Sequence, residues 1–185
     1  MAFALALPIE VQITSTGFSP EKVVILGGET VRWENTTATP HTVSAQAGAV
    51  TFSVGPIAPG EKKSFTFPTT IGTVDYHLDT AATPAGQANI VHIKLVNNAY
   101  QPNELTVPVG TTVVWGRTGS NAHDVRPGPA GQSPPPQLQV AASPDPIPLN
   151  GTYSFQFTTA MGTGDAHFHC GHHGTMKGVI HVVGP

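Results

Sequence analysis

The stretch Gly28-Glu-Thr-Val-Arg-Trp33 recurs 82 residues later as Gly110-Thr-Thr-Val-Val-Trp115, and this repetition predicts the architecture of the chain. Each stretch begins with glycine and places a valine and a tryptophan two residues apart. A period of two is typical of a β-strand with one buried face. The sequences on either side of these two stretches repeat as well, so the chain consists of two copies of one β unit.

The repetition covers most of the chain, but its offset changes. His41 aligns with His123 at the offset of 82, whereas Ser64–Phe67 aligns with Ser154–Phe157 at an offset of 90. The second copy therefore carries extra chain between His123 and Thr152. We predict two domains, residues 1–93 and 94–185.

Glycine and proline separate the short apolar runs and predict turns. The 185 residues include 20 Gly and 18 Pro, in signals such as Ala58-Pro59-Gly60 and Asn150-Gly151. No segment has a convincing helical period. The predicted fold class is all-β, with two antiparallel β-sandwiches.

Two segments depart from the simple repeat. Val91–Leu95 aligns with both the last strand of the first copy and the first strand of the second, which predicts one continuous strand joining the copies. Arg126–Leu149 contains eight prolines. We interpret it as an extended surface loop, with a docking surface as the alternative.

Composition excludes several classes of function. Eight Lys and Arg against eleven Asp and Glu give a net charge of −3, which leaves no basic surface for nucleic acid. No apolar run approaches the roughly 20 residues of a membrane span. The single cysteine excludes an internal disulfide and, beside nine histidines, indicates a metal ligand or a reactive thiol.

The residues that carry chemistry lie in the second copy. His123 precedes Cys170-Gly-His-His173-Gly-Thr-Met176 by 47 residues. A thiolate, two imidazoles and a thioether form a soft donor set that suits copper, and two His and one Cys with a weak axial Met is the blue-copper arrangement.

The residues alone leave four alternatives open. Cys170 could be a small buried hydrophobe, and zinc could occupy the site, although Met is a poor zinc ligand. His172 could replace the adjacent His173, and Met176 could serve only in packing.

The second copy resembles the cupredoxin family, the electron carriers similar to plastocyanin and amicyanin. The matching text is Leu105–Trp115, His123, Phe168–Gly178 and Val179–Val182. The resemblance implies two fused Greek-key β-sandwiches of cupredoxin type. It also implies four copper ligands, which are His123, Cys170, His173 and Met176.

The first copy resembles the family in fold only. His41 matches His123, but Leu78 stands at the position of Cys170, and no His or Met follows it in Asp79–Gly86. We therefore predict one type 1 copper per chain, in the second copy.

The chain departs from the family beside the predicted ligands. The family often has Asn after the first ligand His and Ser or Thr after the Cys, and these side chains join the two loops. Here Asp124 and Gly171 occupy those positions, so the tie is absent or rerouted. We also hypothesise that a carboxylate near copper lowers the reduction potential.

The other histidines are predicted to point away from the copper. His167 and His169 alternate with Phe168 and Cys170, which places them on the opposite face of the strand. The same orientation is predicted for His77, His92 and His181. We interpret the set as exposed or interface residues, with a second metal site as the alternative.

The predicted function is one-electron transfer by a Cu(II)/Cu(I) carrier that is not an enzyme. It would serve a redox partner protein, and family habit suggests the periplasm or another extracytoplasmic location. The alternatives are a copper-holding or copper-sensing module, and a small two-domain oxidase or nitrite reductase with a second copper at an interface. His169 beside Cys170 favours the enzyme, whereas the lack of paired His-x-His motifs in both copies opposes it.

Overall fold

The computed structural model describes residues 7–46, 50–79, 86–129 and 138–184. These ranges hold strands and a 3₁₀ turn at Thr159–Met161, so the all-β prediction is confirmed. The strands are β1 Ile9–Thr14, β2 Gly17–Ser19, β3 Lys22–Leu26, β4 Thr30–Asn35, β5 His41–Ala45, β6 Phe52–Ile57, β7 Lys62–Thr66, β8 Gly72–Leu78, β9 Gly86–Val91, β10 Ile93–Val96, β11 Ala99–Gln101, β12 Glu104–Pro108, β13 Thr112–Arg117, β14 Arg126–Pro127, β15 Thr152–Gln156, β16 Gly164–His169 and β17 Lys177–Val183.

The chain divides into two compact units between Ile90 and Val91. In the first unit the strand orders are β2-β1-β4-β7 and β3-β9-β8-β5-β6. In the second they are β11-β10-β13-β15 and β12-β17-β16-β14. The first sheet of each unit has the same order, so the sequence repeat is also a repeat of topology.

The sheets are mixed and not purely antiparallel as the patterns predicted. β1 pairs with β4 in parallel, and β10 pairs with β13 in the same way. Between β1 and β4 the chain contributes β3 to the other sheet and then returns. A strand that re-enters a sheet after such a crossover can run parallel to the first.

Each unit has its own apolar core. Trp33 on β4 and Trp115 on β13 are fully buried, as the period of two predicted. Trp33 packs edge-on against Tyr76, with ring centroids 5.5 Å apart, and Trp115 packs edge-on against Phe168 at 5.6 Å. These equivalent aromatic pairs support the strand from which the loop of each first histidine departs.

The predicted continuous strand at the junction is interrupted at one residue. β9 ends at Val91 and β10 begins at Ile93. His92 lies between them and forms two hydrogen bonds with Val114. Its backbone N–H donates to the Val114 carbonyl, and its Nδ1 accepts from the Val114 N–H. The chain leaves the β9 ladder and joins β13 at this residue.

The interpretation of Arg126–Leu149 as a surface loop is wrong for part of its length. Val140 and Ile147 are fully buried in the core of the second unit. The Pro134–Pro136 run lies outside the described residues. None of the described ranges contains a helix with the length and apolar character needed to cross a membrane.

Candidate metal centre

Strand ends bring the predicted ligands of the second unit together. Cys170 follows β16 directly, Met176 immediately precedes β17, and His173 lies between them. His123 comes from the connection between β13 and β14. The loop is closed by its own backbone, because the Cys170 N–H donates to the Met176 carbonyl and the Met176 N–H donates to the His173 carbonyl.

Three donor atoms converge at this end of the unit. Cys170 Sγ lies 3.6 Å from His173 Nδ1 and 3.9 Å from His123 Nδ1. The three atoms lie within 4.8 Å of one another. Such separations fit ligands that share one transition-metal ion at about 2.0–2.3 Å each, so the residues present can hold the ion that the sequence implies.

Two of the three donor residues, His123 and Cys170, are buried, and burial favours their neutral forms in the metal-free protein. His123 is fully buried, and its Nε2 has no hydrogen-bond partner among the described residues. Burial, followed by the neighbouring His173 and Arg117, lowers the pKa of His123 to about 4. Burial also raises the pKa of the Cys170 thiol. A bound cation would reverse that direction by stabilising the thiolate.

His173, and not its neighbour, joins the cluster. His172 turns outward, and its Nε2 lies 2.6 Å from Asp145 Oδ1. Met176 is buried in the same apolar core as Cys170. The structure therefore gathers His123, Cys170 and His173, with Met176 beside them in the core.

The tie between the two ligand loops is rerouted. The Gly171 N–H donates to Asp124 Oδ1 at 2.6 Å, so the carboxylate after His123 meets the backbone after Cys170. A Cβ at Gly171 would collide with the Arg126 guanidinium. The side chain that Gly171 lacks is thus replaced by an arginine from β14.

Arg126 and Asp145 extend this tie, and sequence reasoning missed both. Arg126 Nε donates to Asp124 Oδ2 at 2.5 Å, and its Nη2 donates to Asp145 Oδ2 at 2.5 Å. Burial alone would raise the pKa of Asp124, but the bonds from Arg126 and Gly171 outweigh it and lower that pKa. Any effect of Asp124 on a copper potential is therefore opposed by the Arg126 charge.

The extra chain of the second copy supports the first histidine. The Ile147 N–H donates to the His123 carbonyl, and the Val125 N–H donates to Ser143 Oγ. Spacing gave no sign of these contacts, because backbone bonds to an irregular segment leave no residue pattern.

No protein-family model matches the chain, and no curated protein matches it. Among solved structures, a reduced amicyanin variant is 30% identical and covers 49% of this chain and 79% of its own, with a TM-score of 0.39. The chain belongs to the cupredoxin family.

Two further structures are similar to this cupredoxin. A purple cupredoxin from Nitrosopumilus maritimus is 25% identical, covers 48% of this chain and 86% of its own, and has a TM-score of 0.39. A copper-containing nitrite reductase from Thermus scotoductus SA-01 is 14% identical, covers 97% of this chain and 68% of its own, and has a TM-score of 0.42.

The first unit of the cupredoxin has different chemistry at the equivalent place. His41 Nδ1 lies 2.7 Å from Asp79 Oδ2, and Leu78 contributes no donor. Among the described residues, the other group with metal-ligand spacing is Asp124, Asp145 and His172. Arg126 already bridges its two carboxylates.

Two of the outward histidines of the second unit, His169 and His181, contact other protein groups. His181 lies between Asp165 Oδ1 and Glu104 Oε1, at 2.7 Å from each. His169 Nδ1 lies 2.8 Å from the Gly128 carbonyl, and His167 is exposed. In the described part of the chain, these histidines form no cluster of three metal ligands.

Proposed function

We propose that this cupredoxin is a tandem, single-copper electron carrier. The ligands are His123, Cys170, His173 and Met176, and they hold one type 1 copper in the second unit. The convergence of Cys170 Sγ with the two Nδ1 atoms carries the proposal. Copper bound there would supply one-electron exchange between Cu(II) and Cu(I).

The protein frame suits repeated electron transfer. His123 and Cys170 are buried, which excludes water from two of the donors. The Cys170 N–H donates a hydrogen bond to the Met176 carbonyl. The Asp124 carboxylate accepts one from the Gly171 N–H and so links the two ligand loops. A frame that holds the same donors in both oxidation states keeps structural reorganisation small.

His173 provides the route for electrons to a partner. It is the partly exposed member of the donor set, and the exposed Gly171 and Gly174 lie on either side of it. Small residues there leave room for the surface of a redox partner protein. We place this exchange in the periplasm and assign the domain 1–93 to structure or partner docking.

The hydrogen bonds that His169 and His181 make to other protein groups favour an electron carrier over an enzyme. Both ring nitrogens of His181 contact carboxylates, and His169 Nδ1 contacts a carbonyl. A second copper of an oxidase or reductase would need such imidazoles free to converge. We therefore propose that the protein does not turn over a substrate.

Copper reconstitution tests the proposal. We expect one copper per chain, intense visible absorption and the EPR signal of a type 1 site. Cys170→Ser should abolish the absorption, whereas His172→Ala, the adjacent imidazole outside the donor cluster, should keep it. Two blue coppers per chain, or absorption that survives in Cys170→Ser, would contradict the assignment.

Turnover and metal release separate the alternatives. With a reduced electron donor we expect no consumption of oxygen or nitrite. A second, non-blue EPR signal lost in His169→Ala, together with turnover, would identify an enzyme. Copper release to a chelator faster than electron exchange with a reduced donor protein would identify a copper-holding module.

A further inference from the structure

A buried arginine stands behind the first histidine of the donor cluster. Arg117, the last residue of β13, is 8% exposed. Its guanidinium donates to the main-chain carbonyls of Ile147 at 2.6 Å, Asn121 at 2.9 Å and Ser120 at 3.0 Å. Within the described ranges, these neutral oxygens are its hydrogen-bond partners, and no carboxylate there forms an ion pair with the guanidinium.

The first unit performs the same structural task without a charge. Asn35, 82 residues before Arg117, is fully buried, and its Nδ2 donates to the carbonyls of Thr39 and Ile57. Thr39 corresponds to Asn121 at the offset of 82, and Ile57 corresponds to Ile147 at the offset of 90. The side chains of Asn35 and Arg117 therefore donate to carbonyls at two equivalent positions, each within its own unit.

The backbone bonds around the two positions are also equivalent. The Asn35 N–H donates to Glu61 and the Asn35 carbonyl accepts from Gly60. The Arg117 N–H donates to Gly151 and the Arg117 carbonyl accepts from Asn150, which are the same contacts at the offset of 90. At this place the second unit thus has a charged guanidinium, with one further carbonyl partner, where the first unit has a neutral amide.

That charge is not needed to join the loops, because the neutral amide of Asn35 joins the equivalent loops of the first unit. Burying a guanidinium away from water costs free energy that an amide avoids. The cation occurs in the unit that also has the thiol. It is tied to the donor cluster through Ile147, whose carbonyl accepts from Arg117 and whose N–H donates to the His123 carbonyl.

We propose that Arg117 is a positioning residue that also biases the metal centre toward the lower charge state. Its bonds hold the loop of His123, and its buried charge disfavours a dication at the donor cluster more than a monocation. If copper occupies the site, Arg117 therefore raises the Cu(II)/Cu(I) reduction potential. This inference rests on the proposed function for the identity of the metal.

The test replaces Arg117 with the residue that the first unit uses. In Arg117→Asn we expect the affinity for Cu(II) to rise relative to Cu(I) by about tenfold, which lowers the potential by about 59 mV. Arg117→Lys should stay near the native potential. The matched control is Lys94→Gln, on the neighbouring strand β10, where the side chain is partly exposed and the shift should be smaller.

Metal affinities and the stability of the metal-free protein test this inference separately from the proposed function. The ratio of Co(II) to Cu(I) affinity should rise by a similar factor in Arg117→Asn whether or not the copper form is blue. Urea unfolding of each metal-free variant reports the structural role alone, and Arg117→Gln replaces Arg117→Asn if that variant does not fold. An unchanged affinity ratio in a folded neutral variant would overturn the inference, and a colourless wild-type copper form would overturn only the proposed function.

Discussion

Asp124 is a fully buried carboxylate whose neighbours keep it ionised. It accepts hydrogen bonds from the Gly171 N–H and from Arg126. The guanidinium lies where a Cβ at position 171 would be. Gly171 and Arg126 therefore act as a pair, since the missing side chain of one makes room for the other.

Arg126→Gln is expected to destabilise the metal-free protein measurably, because the buried Asp124 carboxylate loses a charged hydrogen-bond donor. The pKa of Asp124 is lowered in the folded state, so its contribution is present above its unfolded pKa and is lost as the pH falls through the folded value. The cost of Arg126→Gln should therefore shrink in acid. Urea unfolding at pH 7 and at pH 3 measures both effects.

Asp145→Asn is the matched control for this prediction. It removes the other carboxylate that Arg126 contacts, but that carboxylate is half exposed. Exposed ion pairs contribute less than about 1 kcal/mol, so the variant should be nearly as stable as the wild type. An equal loss in both variants would mean that Asp124 has no special dependence on Arg126.

Among the strands of the second unit, β17 is connected to both of its neighbours in the sheet through the side chain of His181. His181 lies on β17, between Glu104 on β12 and Asp165 on β16. Hydrogen bonds from Asp165 and Glu104 raise the pKa of His181. The protonated imidazole thus serves the two carboxylates as a shared donor across the sheet.

His181→Gln is expected to make stability less dependent on pH. Because the folded pKa of His181 is raised, its contribution is complete below the unfolded pKa of about 6.5 and is lost as the pH rises through the folded value. The variant should be least stable relative to the wild type near pH 5.5, with the difference closing toward pH 9. Urea unfolding across that range measures it.

His167→Gln provides the comparison on the same sheet. His167 is exposed on β16, and no carboxylate among the described residues is hydrogen-bonded to it. Its replacement removes an imidazole from the sheet without removing a contact to a carboxylate, so it is the matched control for His181→Gln. If His181→Gln behaves like His167→Gln, the two carboxylates do not stabilise the folded state through the imidazole.

At the scale of the whole molecule, two units with separate cores share a topology but differ in chemistry. The donor cluster belongs to the second unit, and the first has His41 paired with Asp79 at the equivalent place. A ligand that binds only a folded site stabilises the unit that carries that site. Copper should therefore act on the two cores unequally.

Copper loading is expected to raise hydrogen-exchange protection in the second unit. At a free copper concentration 100 times the dissociation constant, the free energy of opening rises by about 2.7 kcal/mol. Amides of β13 and β16 should slow, whereas those of β4 and β8 in the first unit should not. Mass spectrometry of exchange with and without copper measures the difference.

Cys170→Ser is the control, since it removes the thiolate and leaves both cores intact. The copper-dependent slowing in β13 and β16 should be lost or greatly reduced in this variant. Equal slowing in β4 and β8 of the wild type would show that the first unit also responds to copper.

The residue order alone determined the repeat, the strands and the chemistry of the donor set. Period-two runs ending in Trp33 and Trp115 are local patterns, and burial of one strand face follows from them. The spacing of Cys170, His173 and Met176 is also local, because a short loop limits where these side chains can go. His123 lies 47 residues before Cys170, and it was predicted as the second imidazole that completes the soft donor set, a role that the family resemblance also implies.

Distant segments complete the site through contacts that exist only in the folded chain. The contact of Asp124 with the Gly171 N–H joins residues 47 apart, and Asp145 reaches Arg126 and His172 from irregular chain. Such contacts depend on where each backbone enters the site and not on any periodic pattern. The burial of Arg117 is of the same kind, since an arginine in a sequence suggests an exposed side chain until the carbonyls around it are known.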